Sequence, residues 1–490
     1  MRKFGLINHN QYYYYGHSRQ PIAAALLKAT QMSRHTMEDD STMPLVARNL
    51  PQAFPGFDSD YVREVSEGRR ALSTPLLMTT GTGYSIYKSL IIPSMIAANR
   101  EVILVTCFWA PSVTRDAINQ ALKELSAKAM ATGTRISVQI CFSSSSLAQN
   151  MLLPTPKNGQ RYPPTAWSKL GLPEQEAIPG LELRVVRKFF WPFGMIHSKY
   201  VIVDRKLAIF PSCNVSWERW YEVAVSIKGP VVDHLLSFHR DFWSNEHITP
   251  VSDSHTEDSI PDIAFDPGNA DGSIHYPARL DSDVVQTTLL PSPHSPSLLP
   301  GYLRPRAVIS HCPCAPAAPS SFSRTPLLTI TYHLLSTARS SITMLTPNVT
   351  EPVVLDLLWG ALERGVDVCL WTNRNLMTTE QLVTAGTTTP RCIQTLKSQS
   401  QNLRGRFEVF YFDDGPGART VSGDEAEVTP IKLHAKVTIV DGERMLIGSG
   451  NMDVASWRTS QELGVLLESM EGVEKFGKQW KYSDLLNDTD

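Results

Sequence analysis

Apolar residues recur in two rhythms along this chain, a helical one and a strand-like one, and the two alternate. "GYSIYKSLIIPSMIAA" (83–98) has helical apolar spacing, with Pro93 inside it and expected to kink it. "EVILVTCFW" (101–109) is a continuous apolar run and predicts a buried strand. "SVTRDAINQALKELSAKA" (112–129) predicts an amphipathic helix ending near Gly133, and "RISVQICF" (135–142) a further strand. A loop-rich insert with many Pro and Gly follows, then a strand at "LELRVVRKFF" (181–190).

The second half repeats this order. "TPLLTITYHLLSTA" (325–338) and "PVVLDLLWGALERG" (352–365) predict helices, and "SITMLTP" (341–347), "VDVCLWTN" (366–373) and "RFEVFYF" (406–412) predict strands. A flexible acidic loop, "DDGPGARTVSGDEAE" (413–427), comes next. Alternating helices and strands imply α/β layers with a mixed or mostly parallel sheet. The stretch between the halves, "LLPSPHSPSLLPGYLRP" (289–305), is too rich in Pro and Ser for regular helix or strand. The expected organisation is an N-terminal extension (1–75), a first α/β domain (76–248), a Pro/Ser-rich connection (249–310) and a second α/β domain (311–490).

Composition narrows the partners. The 490 residues allow two or three domains, and 42% hydrophobic with 19% charged residues is ordinary for a globular chain. A net charge of −2 gives no sign of a strongly basic nucleic-acid surface. Seven scattered cysteines fit a reduced, intracellular setting better than a disulfide framework. "HCPC" (311–314) lacks a nearby second ligand pair and reads as a loop before it reads as a metal site. The N-terminus carries no apolar core of signal-peptide length, and no run reaches the ~18–20 apolar residues of a membrane span. A cytoplasmic protein with peripheral membrane contact is the expectation. "YYYY" (12–15) suggests a loosely packed tail, and "TGTG" (80–83) a turn before a helix.

The chemistry sits in a repeated stretch. "IHSKYVIVD" (196–204) carries His197, Lys199 and Asp204; "LHAKVTIVD" (433–441) carries His434, Lys436 and Asp441. Extended backbone puts residues i and i+2 on one face, so each imidazole projects beside an ammonium. Six residues after each aspartate come "PSCN" (211–214) and "GSGN" (448–451), which add Ser212 and Asn214, then Ser449 and Asn451, at identical offsets.

These residues resemble the phospholipase D superfamily, whose hallmark is two copies of H-x-K-x4-D-x6-G-S-x-N. The second copy matches fully; in the first, Pro211 stands for the glycine, and the turn there is expected to differ locally. The resemblance runs from about residue 81 towards the C-terminus. It implies two tandem α/β sandwich domains, each a mixed sheet flanked by helices, with one active site at their interface. It implies phosphodiester chemistry without metal or other cofactor. One histidine attacks phosphorus and becomes a phosphohistidine; the other protonates the leaving alcohol and then activates the acceptor. By resemblance His197 is taken as the nucleophile and His434 as the acid–base. Lys199, Lys436, Asn214 and Asn451 supply donors to the developing charge, with the Ser212 and Ser449 hydroxyls beside them. Asp204 and Asp441 are expected to hold loops and lysines.

A carboxylate on Nδ1 fixes each imidazole. Glu462, 28 residues past His434, and Glu222, 25 residues past His197, fit that place in their own copies, with Glu218 as competitor to Glu222. Aromatics crowd the first motif, in "KFFWPFGM" (188–195) and at Trp217, Trp220 and Tyr221; they read equally as an apolar rim for acyl chains and as core. The leading expectation is a phospholipase D or phosphatidyltransferase acting on glycerophospholipids, with no obligate protein partner. A nuclease or nucleic-acid end-processing phosphodiesterase ranks second, and a catalytically silent lipid- or phosphate-binding scaffold third.

Overall fold

The structure, a computed structural model, describes residues 59–144, 155–156, 158–190, 194–243, 276–280, 284–292, 325–412 and 430–479, all within the compact unit Pro51–Asp490. The tyrosine run, the "HCPC" stretch, the acidic loop, Trp191 to Phe193 and most of the Pro/Ser-rich connection lie outside the described residues.

Seventeen strands are described: β1 (Arg70–Thr82), β2 (Glu101–Phe108), β3 (Ile136–Ser144), β4 (Gln160–Tyr162), β5 (Leu181–Arg187), β6 (Tyr200–Val203), β7 (Leu207–Pro211), β8 (Trp220–Lys228), β9 (Tyr276–Arg279), β10 (Val285–Ser292), β11 (Ser341–Leu345), β12 (Asp367–Thr372), β13 (Phe407–Tyr411), β14 (Lys432–Leu433), β15 (Val437–Val440), β16 (Arg444–Gly448) and β17 (Glu462–Glu468). In the first half the order is β5-β3-β2-β6-β7-β8-β1, with β2, β3 and β5 parallel and the rest antiparallel. In the second half it is β13-β12-β11-β15-β16-β17-β10, with the same change from parallel to antiparallel. The repetition seen in the sequence is therefore a repetition of strand order.

The two sheets are stitched together. β1 pairs through Arg70 to Ser73 with β10, then through Thr74 to Thr82 with β8. The inner sheet faces share one core that includes Val223, Val225, Ile227, Val437, Ile447, Val465 and Leu467. The outer faces are covered by helices, Val113–Thr132 on the first sheet, Pro326–Thr337 and Pro352–Arg364 on the second. Each fully buried aliphatic side chain in these layers contributes about 1.5–3 kcal/mol of transfer free energy.

Local chemistry sets the element ends. Ser112 caps the helix Val113–Thr132 through the Arg115 N–H, and Gly133, at φ 64°, ends it in a left-handed turn. Pro93 does not stop its helix. The chain widens into a π turn at Tyr87–Ile91 and resumes as Ile92–Ala97, with the Ile92 N–H on the Tyr87 carbonyl. A wider turn makes room for the ring of a proline that follows it.

Two expectations need correction. "TGTG" is not a turn: Thr80, Gly81 and Thr82 finish β1, and the helix begins at Gly83 with Thr82 as its cap. Polar, mostly buried residues such as Ser73, Thr79 and Thr80 hid this strand from a hydrophobicity reading. The Pro/Ser-rich stretch also starts as strand, since Leu289 to Ser292 belong to β10 and pair with β17. Its β1 ladder ends at Thr288, so Pro291 meets a ladder on one side only, where a proline is tolerated.

Candidate active site

Both H-x-K stretches lie just before short inner strands, β6 and β15, and both are held by the other half of the chain. The His197 N–H donates to the Gln461 carbonyl at 2.7 Å, and Ile196 bridges Gln461 in parallel. The His434 N–H donates to the Tyr221 carbonyl at 2.9 Å, while β14 pairs in parallel with β8. Each motif therefore enters beside the strand that carries the opposite half's glutamate.

This register decides the carboxylate pairing, and it differs from the expected one. His197 Nδ1 lies 3.0 and 2.9 Å from the two oxygens of Glu462, and His434 Nδ1 lies 2.7 Å from Glu222 Oε1. Glu462 was expected on His434 and Glu222 on His197; the structure crosses the pairs. Sequence distance alone cannot distinguish the arrangements, because each glutamate lies at or near the start of a strand, Glu222 in β8 and Glu462 in β17. Glu218, the competitor, is not the partner of either imidazole.

Each glutamate is fixed in turn by the serine of its own motif. Ser449 Oγ donates to Glu462 Oε2 at 2.5 Å, and Ser212 Oγ donates to Glu222 Oε2. The same hydroxyls accept the N–H of Leu463 at 3.0 Å and of Val223 at 2.9 Å. The two serines are thus carboxylate partners, which the expectation of substrate contact did not foresee. Ser456 adds a third donor to Glu462, at 2.7 Å, which sequence reasoning missed.

The turn at Pro211 matches that at Gly448. The Ser212 N–H reaches the Val223 carbonyl at 2.8 Å, and the Ser449 N–H the Leu463 carbonyl at 2.9 Å. The glycine is needed only in the second copy: a Cβ on Gly448 would lie 2.5 Å from the Leu463 carbonyl oxygen and 2.8 Å from Gly464 Cα. Pro211 instead faces Ala224 across the ladder. Its cost is one bond, since Gly448 N–H donates to the Lys436 carbonyl at 3.2 Å and a proline cannot do the same for Lys199.

Lys199 and Lys436 are buried, and each ammonium donates to the carbonyl of its own histidine, at 2.7 and 2.6 Å. Asn451 Nδ2 donates to Asp453 Oδ2 at 3.0 Å, whereas Asn214 Oδ1 accepts the Phe108 N–H at 3.3 Å. Asp204 accepts the N–H groups of Asn99, Arg100 and Glu101 at 2.8, 2.8 and 2.9 Å, and Asp441 those of Arg339, Ser340 and Ser341 at 2.9, 2.8 and 3.3 Å. Both aspartates take left-handed backbone, φ 51° and 57°, and tie each strand end to the start of a neighbouring strand. The aromatic residues near the first motif differ in burial. Tyr221 is core, Trp217 is 60% exposed, and the Trp220 ring lies with its centroid 4.5 Å from that of His434. A cavity behind the second motif is lined by Lys436, Asn451 and Glu462 and by Leu327, Leu328 and Thr331.

The electrostatics separates the two His–Glu pairs. Burial would raise the Glu462 carboxyl, but His197, Lys199 and the Ser449 hydroxyl outweigh it and hold the group below its ordinary value. Burial dominates at Glu222 and pushes it up to about 7, against the pull of Lys436. Burial lowers both imidazoles, His434 the further, with Lys436 and Lys199 adding to the shift there. Lys436 itself falls to about 7 through burial. Both lysines disfavour the charged form of both imidazoles, so the two motifs act on one another within one site. Among the described residues no group of three or more His, Cys, Asp or Glu side chains is placed to hold a metal ion. Among the described residues no helix is long and apolar enough to cross a membrane.

Residues 332–482 match the family described as "Cardiolipin synthase, PLD-like domain". No curated relative matches the chain. Among solved structures it is similar to phosphatidylserine synthase of Haemophilus influenzae Rd KW20, at 12% identity over 88% of this chain and 90% of that one, with a TM-score of 0.53. It is also similar to a phospholipase D family member, Nuc, from Salmonella typhimurium, at 20% identity over 33% of this chain and 88% of that one, with a TM-score of 0.25. The family match covers the second motif, and the fold is shared across most of the length. The stretch that carries His434, Lys436 and Asp441 thus matches a phospholipase D-like domain family, and most of the chain shares its fold with a phosphatidylserine synthase.

Proposed function

We propose that this protein is a phospholipase D-type phosphodiesterase that hydrolyses or transfers the phosphatidyl group of a glycerophospholipid through a covalent phosphohistidine. The observation that carries the reading is the crossed pair of His–Glu contacts, with a buried lysine two residues after each histidine. Two imidazoles, each held at Nδ1, leave two Nε2 atoms for one phosphorus. Cationic donors around them favour a phosphate and the charge that grows on its oxygens. The domain boundaries near 76–248 and 311–490 belong to the same proposal, each domain giving one histidine.

His197 is the nucleophile in this account. An ionised Glu462 calls for a proton on Nδ1 and leaves the Nε2 lone pair free to attack. The P–N bond forms as the P–O bond to the leaving alcohol breaks, and His434 gives the alcohol oxygen its Nε2 proton. His434 then takes a proton from water or an acceptor alcohol. That oxygen attacks phosphorus, the P–N bond breaks, and the electron pair returns to His197. Glu222, whose carboxyl burial pushes up to about 7, sits where the proton-transferring histidine needs a partner. Lys199, Lys436, Asn214 and Asn451 bind the phosphoryl oxygens. The matched synthases and the absence of a basic excess in the chain favour lipid over nucleic acid as substrate, met at a membrane surface and in the cytoplasm.

The test is incubation with mixed phospholipid vesicles and a short primary alcohol, read by mass spectrometry. Phosphatidic acid and phosphatidyl-alcohol are expected from the wild type and from neither His197→Ala nor His434→Ala. Folded wild-type protein that consumes no lipid would overturn the proposal.

A further inference from the structure

We infer that Trp220 is a positioning residue for His434, its indole face holding the imidazole in place and favouring its protonated form. The inference rests on the acid–base role proposed for His434 and names a part of the site that the repeated motif does not contain. The ring centroids are 4.5 Å apart and the planes meet at 39°. The contact is built into the backbone. Trp220 opens β8 and pairs in parallel with Lys432, and the next carbonyl, that of Tyr221, accepts the N–H groups of both His434 and Ala435. Indole and imidazole are thereby laid against each other on adjoining strands. With Glu222 on Nδ1 and Trp220 on the ring face, the imidazole has two independent restraints.

A general acid must carry its proton before the leaving group departs, and the surroundings of His434 work against that. Burial disfavours the cation most, and Lys436 on the same segment, with Lys199 and His197 from the first motif, add to it. Glu462 on β17 opposes them, and Glu222 on β8 meets Nδ1 but is itself raised by burial. The face of an indole attracts a cation without adding a net charge that would need solvation. It strengthens the cationic state in a place where a further carboxylate would itself be hard to keep ionised.

The two halves differ at this point. Glu222 and Glu462 occupy matching places, so the position two residues before each compares Trp220 with Ser460. The indole stands beside the histidine proposed to hold a proton, and the matching position of the other half is a serine, which has no ring to offer.

The experiment compares wild type, Trp220→Phe and Trp220→Leu on two phosphodiesters, one losing p-nitrophenol and one losing an alkyl alcohol. Nitrophenolate leaves without a proton, so only the alkyl substrate needs His434 as acid. For Trp220→Leu we expect about a tenfold lower kcat on the alkyl ester at neutral pH, and an alkaline limb of the profile about one pH unit lower. The first-turnover release of p-nitrophenol should stay within about twofold, and Trp220→Phe should restore most of the loss. A titration of His434 by NMR in the full-length chain, wild type against Trp220→Leu, reads the same shift without turnover. Equal losses on both esters, or an unmoved His434 titration, would overturn the inference. An inactive wild type with a shifted titration would instead count against the proposed function and leave the ring contact supported.

Discussion

His197 Nδ1 lies 2.9 Å from Glu462 Oε2 although 265 residues separate the two, and His434 meets Glu222 at 2.7 Å in the reciprocal sense. Each half supplies a histidine and orients the histidine of the other. The repeat therefore gives more than two copies of one catalytic group, because neither copy holds its own imidazole.

Glu462→Gln is predicted to act through His197. The amide can still meet Nδ1, but it no longer favours the tautomer with a free Nε2. We expect kcat to fall by roughly 10²–10⁴-fold with KM little changed. In a double-mutant cycle, Glu462→Gln should add little to the loss caused by His197→Ala, because the two act as one unit. Unchanged steady-state rates for Glu462→Gln would contradict the crossed pairing.

Lys436 gives a prediction for stability against pH. Burial lowers this ammonium from 10.5 to about 7. Between those two values the unfolded chain binds more protons here than the folded chain, so this group makes stability rise with pH across that window. Lys436→Met should remove the slope. Calorimetry should find the variant melting above wild type at pH 7, the gap closing as pH approaches 10.5. Glu222 runs the other way, since its carboxyl is raised from 4.5 to about 7 and its contribution is lost as pH rises through that range. A Lys436→Met variant that melts below wild type at pH 7 would contradict the burial of a charge at this site.

The glycine and proline that distinguish the two motifs should respond differently to exchange. Gly448→Ala forces a Cβ against the Leu463 carbonyl and Gly464, and is predicted to cost about 1–3 kcal/mol, read as a lower unfolding midpoint. Pro211→Gly gains a donor for the Lys199 carbonyl and loses the stiffness of proline. These offset, and we expect a net change within about 1 kcal/mol with activity retained. A large loss of activity in Pro211→Gly would mean that the proline has a function of its own.

Asp204→Ala leaves the Asn99, Arg100 and Glu101 N–H groups without their acceptor. Water reaches the first two, so we expect a stability loss of about 1–3 kcal/mol in thermal unfolding and a near-normal kcat in the folded fraction. A kcat loss as deep as that of His197→Ala would place Asp204 in the chemistry instead.

Much of this was legible in the chain. The alternation of "EVILVTCFW" and "SVTRDAINQALKELSAKA" marked the first parallel strand and its helix, and the matched offsets from His197 to Asn214 and from His434 to Asn451 marked the site. What escaped was non-local. β1 mixes threonines, a serine and a proline with its apolar residues, and Thr79 and Thr80 are buried because β8 and β9 flank them. Pro291 enters a strand because one of its sides has no ladder to satisfy. Which glutamate serves which histidine depends on a parallel contact across the interface, at Gln461 and Tyr221, that no local pattern encodes. Trp220 was visible only as one aromatic among several, since its meaning comes from the ring across the strand gap.

The most direct test of the central claim is a single-turnover reaction, quenched in alkali and mapped by mass spectrometry for a phosphatidyl group on histidine. The account predicts an adduct on His197, built up further in His434→Ala with a nitrophenyl ester and absent in His197→Ala. Product formed with no adduct on either histidine would contradict a covalent mechanism, and an adduct on His434 would reverse the two roles.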